Sequence, residues 1–417
     1  MCVQQWQRGR PRGGGFLTRG PLGVLLAVSG LQVEFPCTLL DLQSLSGLTK
    51  LQSFTTKAPV AYWADPFDDA APQPAAQQFP ACLTTLTQLV LPLEVVWNIS
   101  SICECTSLCD LQLRCADDPS PRRKDWPAHD WGALTKLSRL THLHIGINRA
   151  GSAEAVAFYG AIRKLNGLRV VGASCWAADA LPVLQSLTHV TAVHGSWDMR
   201  AGGDVSKLVC PHVTELGETV DPPFQAFPDL VSVSFVALSH QSLQDLCRCC
   251  TALRNLALTK CTDQDVWDQA RGFSESERVS VFRSIAQMPH LTHLEMSIPS
   301  DTELVGFTLA AAAVSAPKLR CLHLHGHLYA MSLVQLQSMH GLEKLTIHMS
   351  HNRNFMDTFH TEVVNLLLVG LAVLPKVCLV LPWQTPHGSV ASVRQWAARL
   401  GLPLPAILHI FVAEVAH

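Results

Sequence analysis

The chain has 417 residues, and its formal net charge of −2 leaves no bulk basic field to draw it to nucleic acid. Charged residues make up 15% of it, below the roughly 25% usual for soluble proteins, while hydrophobic residues reach 48%, which suits elements buried on more than one side. The 15 cysteines are odd in number and scattered, which argues against a disulfide framework and for a reducing compartment such as the cytoplasm.

Residues 1–40 form an N-terminal segment with three readings, one of them that the true start lies upstream, since no polar capping unit is evident. Arg8, Arg10, Arg12 and Arg19 precede the first acid, Glu34, and an apolar run covers Leu22 to Leu31. A basic start followed by an apolar run has the form of a targeting segment, so organelle targeting by residues 1–30 stands beside a partial repeat built on Leu22 and Leu25. Residues 41–417 read as one array. Its interruptions are 58–80, rich in Pro, Ala and Asp; 116–132, ADDPSPRRKDWPAHDWG; and 197–227, with Gly202-Gly203 and Pro222-Pro223.

Between these loops one frame recurs, L-x-x-L-x-L. It is clear at Leu86-Leu89-Leu91, Leu108-Leu111-Leu113, Leu140-Leu143-Ile145, Leu253-Leu256-Leu258, Leu291-Leu294-Met296, Leu319-Leu322-Leu324 and Leu342-Leu345-Ile347. It is weaker at Leu168-Val171, Leu187-Val190, Leu230-Val233-Phe235 and Leu374-Val377-Leu379, and poor at Leu48-Leu51 and Val213-Leu216. The fourth and sixth positions are two apart, so on a strand they face one side. One such unit cannot bury that side alone and must stack on copies of itself. The mean step from Leu86 to Leu374 is about 26 residues, within the roughly 20–29 window of a strand-and-helix repeat.

Helical patterns fall between the strands. Ser152 is placed to cap a helix with Val156, Tyr159, Ile162 and Leu165 on its apolar face. Thr262 with Asp265, and Ser274 with Glu277, have the form of capping boxes. Further helices are expected over 304–314, 332–339, 355–374 and 389–400. The apolar stretch 363–381 holds Asn365, Pro375 and Lys376, so its uninterrupted part is shorter than the ~20 residues of a membrane span. A buried helix and then a strand at Val377–Leu381 are expected there, with a last strand within 406–415.

The unit Cys250–Val266, CTALRNLALTKCTDQDV, resembles one repeat of the cysteine-containing leucine-rich repeats. Cys250, Leu253, Leu256, Leu258, Cys261, Thr262 and Asp263 carry the likeness, and Cys105 precedes Leu108 as Cys250 precedes Leu253. The resemblance implies an α/β fold: a ribonuclease-inhibitor-like leucine-rich repeat solenoid, or horseshoe. Parallel strands would line its concave face, with helices and loops on the convex face and irregular repeats. It implies a non-catalytic scaffold that binds a protein partner on the concave face. Some relatives are substrate receptors of ubiquitin ligases, but the first 80 residues show no F-box. Others are structural proteins of the ciliary axoneme.

No H-E-x-x-H, G-x-S-x-G, P-loop or G-x-G-x-x-G pattern appears in the right context. Neither Cys103, Cys105, Cys109 and Cys115 nor Cys247, Cys249 and Cys250 has paired zinc-ligand spacing. No catalytic residue, metal ligand or cofactor is therefore expected. The partner-binding candidates are the outward third, fifth and seventh positions: His293 and Glu295, with Ser297; Cys321, His323 and His325; and Lys344 and His348, with Thr346. On neighbouring strands about 4.8 Å apart, His293 should flank Cys321, Glu295 should flank His323, and His325 should flank His348. His142 and His144 hold the same positions in an earlier unit.

Overall fold

The computed structural model describes residues 4–5, 29–33, 48–56, 79–80, 82–92, 99–114, 130–146, 153–198, 208–237, 240–258, 285, 288–298, 318–326, 341–349, 377–382, 398 and 409–413. The chain divides into two compact units, Met1–His212 and Val213–His417. The boundary falls inside the stretch 197–227, where the leucine frame breaks down.

In the first unit the strands are β1 (Gln4–Gln5), β2 (Gly30–Val33), β3 (Ser53–Thr56), β4 (Gln88–Pro92), β5 (Asp110–Arg114), β6 (His142–Ile145), β7 (Val170–Ala177) and β8 (Ala192–Asp198). Each pairs in parallel with the next in chain order. In the second unit β9 (Glu215–Val220), β10 (Ser232–Ala237), β11 (Asn255–Leu258), β12 (His293–Ile298), β13 (Cys321–Gly326), β14 (Lys344–Met349), β15 (Val377–Pro382) and β16 (His409–Ala413) do the same. Parallel neighbours need a return path. Helices lie on that path at Ile99–Ile102, Ala153–Ile162 and Leu181–Ser186 in the first unit, and at His240–Cys249 in the second. The strands expected at 377–381 and within 406–415 are β15 and β16.

The apolar frame packs as its period demands. Leu89, Leu111, Leu143, Val171, Leu256, Leu294, Leu322 and Leu345 at the fourth position are all at most 2% exposed. The frame also extends three residues upstream. Leu83, Cys105, Leu137, Leu165, Cys250 and Met288 are buried, and their carbonyls accept the N–H of the first leucine slot, as in Leu86 to Leu83 at 3.1 Å and Leu108 to Cys105 at 3.0 Å. Each strand is thus entered through a tight turn whose first residue is also core. This explains why cysteine serves there as a small apolar group.

Successive strands are clipped by one repeated contact. The second-position carbonyl accepts two consecutive N–H groups of the next strand's unit: Gln52 O from Thr87 and Gln88 at 2.8 and 3.0 Å, and Arg254 O from Thr292 and His293 at 2.9 Å each. A second-position threonine adds its hydroxyl, Thr87 to Gln52 O at 2.9 Å and Thr141 to Cys109 O at 3.0 Å. A second-position arginine reaches the other way, Arg169 to His189 O and Arg320 to Gly341 O, both at 3.3 Å.

Register corrects three weak units. Phe54 pairs with Leu89, so the unit is Leu51-Phe54-Thr56 rather than one starting at Leu48. Val193 pairs with Val171, so the next is Val190-Val193-Gly195 rather than one starting at Leu187. In both cases the preceding turn leucine imitates the first slot. The Val213-Leu216 unit is closed by Thr219, which pairs with Phe235 across a register shift. Glu218, at φ 49, is the extra residue that delays the slot. The expected loop 197–227 therefore carries the end of β8 and all of β9, and the loop 116–132 ends in a 3-10 helix, Trp131–Lys136, with Trp131 buried.

The helix Ala153–Ile162 forms, but Val156 is 55% exposed. It buries Ala155, Phe158, Tyr159, Ala161 and Ile162, and Ala155, Phe158, Tyr159 and Ile162 make the i, i+3, i+4, i+7 stripe, which leaves Val156 to one side. That stripe feeds an aromatic stack: Trp131 lies edge-on to Phe158 at 5.6 Å, Tyr159 stacks on Trp176 at 5.9 Å, and Trp176 stacks on Trp197 at 5.9 Å. The capping boxes at 262–265 and 274–277, and the helices expected over 304–314, 332–339, 355–374 and 389–400, lie outside the described residues, apart from residue 398. Among the described residues no helix is long and apolar enough to cross a membrane.

Candidate binding face

Because positions one, four and six turn into the core, positions three, five and seven of each strand stand on the other face. In the second unit the register sets the candidates in rows. His293 lies opposite Cys321, and Cys321 opposite Lys344. Glu295 lies opposite His323, and His325 opposite His348. His293 and Lys344 are exposed, whereas Glu295, Cys321 and His323 are half-buried. The side chains of Ser297, His325 and His348 lie outside the described residues. Thr346, beside His323, is 6% exposed, so the fifth row is not open along its whole length.

The first unit carries a hydrogen-bonded ladder at the outward positions of its own strands, which no sequence motif singles out. Ser53 Oγ donates to Gln88 Oε1 at 2.9 Å, and Gln88 Nε2 donates to Asp110 Oδ2 at 3.0 Å. From the other end Arg114 Nη2 donates to Gln112 Oε1 at 2.8 Å, and Gln112 Nε2 donates to Asp110 Oδ1 at 3.2 Å. The donors converge on one carboxylate. The signal was present in the third positions of the units at Leu51, Leu86 and Leu108 and in the fifth and seventh positions of the last, but the two links between strands join residues 35 and 22 apart and need the register to become visible.

Beside the ladder, His142 lies opposite Asp110 and is exposed. Its Nδ1 is 2.8 Å from Thr141 Oγ1, and the same arrangement recurs at Thr292 and His293 at 2.9 Å. Both come from the sequence Leu-Thr-His-Leu. His144 lies over Gly172, where a Cβ would come within 2.2 Å of its Nδ1, so glycine on β7 makes room for that ring.

The buried cysteines have a different character. Burial pushes the Cys105 and Cys210 thiols up to about 11, and those of Cys103 and Cys250 up to about 12. A thiol so disposed stays protonated at neutral pH and is a poor nucleophile or metal ligand. Among the described residues no group of three or more His, Cys, Asp or Glu side chains is placed to hold a metal ion. No family model matches the chain, and no curated protein matches it either.

Proposed function

We propose that the chain is a non-catalytic interaction module, a leucine-rich repeat array of the ribonuclease-inhibitor-like, cysteine-containing kind, that holds a protein partner on the open face of its parallel strands. One observation carries this: the strands follow chain order within each unit, with apolar slots buried and hydrogen-bonding side chains set in register on the opposite face. A stack of short strands supplies many such rows at fixed spacing, which suits recognition of an extended surface. The protonated thiols favour packing over chemistry at the cysteines, and a reducing compartment such as the cytoplasm suits them. In the second unit the patch is His293, Glu295, Cys321, His323, His325, Lys344 and His348. The test is His323→Ala combined with His325→Ala in the intact chain. Capture of the main partner should weaken while the melting transition stays in place; unchanged capture would move the site to the loops or helices.

A further inference from the structure

The two charges on β5 stand at opposite ends of one strand. Asp110 and Arg114 are both at outward positions, four residues apart, which is about 13 Å on a strand. Gln112 sits between them and fixes both, donating to the Asp110 carboxylate at 3.2 Å and accepting from Arg114 at 2.8 Å. Gln88 holds the carboxylate from β4 at 3.0 Å. Among the described residues neither charge has an opposite charge against it; their partners are neutral amides. These amides orient the charges without cancelling them, and two amide donors leave part of the carboxylate's roughly four acceptor positions open. Arg114 is exposed and Asp110 half-buried, with exposed His142 on the flanking strand.

We propose that this strip of β5 takes an extended segment of a partner protein carrying a basic and an acidic side chain four residues apart. An extended chain puts side chains i and i+4 on one side at the same ~13 Å spacing, so lysine or arginine meets Asp110 while aspartate or glutamate meets Arg114. The carboxylate disfavours a nucleic-acid strand, whose every phosphate repeats one sign of charge. The ordering of the receiving side chains is completed before binding, which reduces the entropy lost on association. This inference rests on the proposed partner-binding role of the open face and names the partner's chemistry.

The test uses the full chain and three short peptides identical except at two positions four apart, which carry Lys and Glu, Lys and Lys, or Glu and Glu. Charged hydrogen bonds at both ends predict that the Lys/Glu peptide binds about tenfold or more tighter than either like-charged peptide. Asp110→Lys should shift the preference to Glu/Glu, and Arg114→Glu should shift it to Lys/Lys, opposite switches that a misfolded variant cannot produce. Gln112→Leu should weaken Lys/Glu binding without a new preference. Equal affinities, no binding of any peptide, or an unchanged preference in both charge variants would overturn the inference. If partner capture still depends on His323 and His325 in that event, the proposed function stands and only this strip is excluded.

Discussion

Replacing Gly195 by alanine should destabilise the first unit, whereas the same change at Gly160 should stabilise it. Gly195 has φ +120, and an added Cβ would lie 1.7 Å from the Ala173 carbonyl oxygen. That φ belongs almost only to glycine and costs an L-residue about 1–3 kcal/mol. To reach the 3.4 Å of an ordinary contact, β7 and β8 must also part. The pairing there is already irregular, since Gly172 lies opposite His194 and Cys175 opposite Ser196. The Trp176 Nε1 bond to His194 O, 2.8 Å long, closes the bulge. Losing it and one neighbouring strand bond adds about 1 kcal/mol each, for a total of about 3–5 kcal/mol. Gly160 is exposed within the helix Ala153–Ile162 and a Cβ there meets nothing within 4 Å among the described residues, so alanine should gain about 0.5–1 kcal/mol. Denaturant titration of both variants, followed by tryptophan fluorescence and compared at equal m-values, reads the difference. A Gly195→Ala loss within about 0.5 kcal/mol of zero, the range of ordinary surface substitutions, or a destabilised Gly160→Ala, would refute the β7–β8 geometry.

Two further outcomes follow from buried polar groups. Thr219 is 0% exposed and its hydroxyl has no hydrogen-bond partner among the described residues, so Thr219→Val should raise stability by about 1 kcal/mol; a loss in the same denaturant titration would show that the hydroxyl is satisfied. The thiols of Cys103, Cys105, Cys210 and Cys250 are raised from 9.0 to about 11 or 12 by burial. The unfolded state therefore sheds these protons first, so their contribution is intact below pH 9 and is lost as pH rises toward 12. Urea midpoints should fall across that window, and Cys210→Ala should flatten the fall; an unaltered slope would remove the thiols as its cause.

The fold was legible wherever all three slots held large aliphatic residues, as at Leu108-Leu111-Leu113, because period and register then coincide. It was obscured where a slot accepts anything that fits. Phe54 and Thr56, Val193 and Gly195, and Thr219 after the extra Glu218 fill the same places with different chemistry. A turn leucine such as Leu48 or Leu187, buried three residues upstream, then looks like the first slot. The strand pairings of His293, Glu295 and His325 followed from the frame alone, since register there has no bulge. The Asp110 ladder did not, because its side-chain bonds, between strands and within β5, depend on rotamers that sequence periodicity does not encode.

The proposed function puts a protein partner on the open strand face. A photo-crosslinking side chain placed singly at Thr55, Ala257 or Val156 tests it, since the first two are outward strand positions and the third is an exposed helix position. Mass spectrometry of the crosslinked intact chain should find one partner joined through Thr55 or Ala257 and none through Val156. A partner joined through Val156 alone would contradict the account.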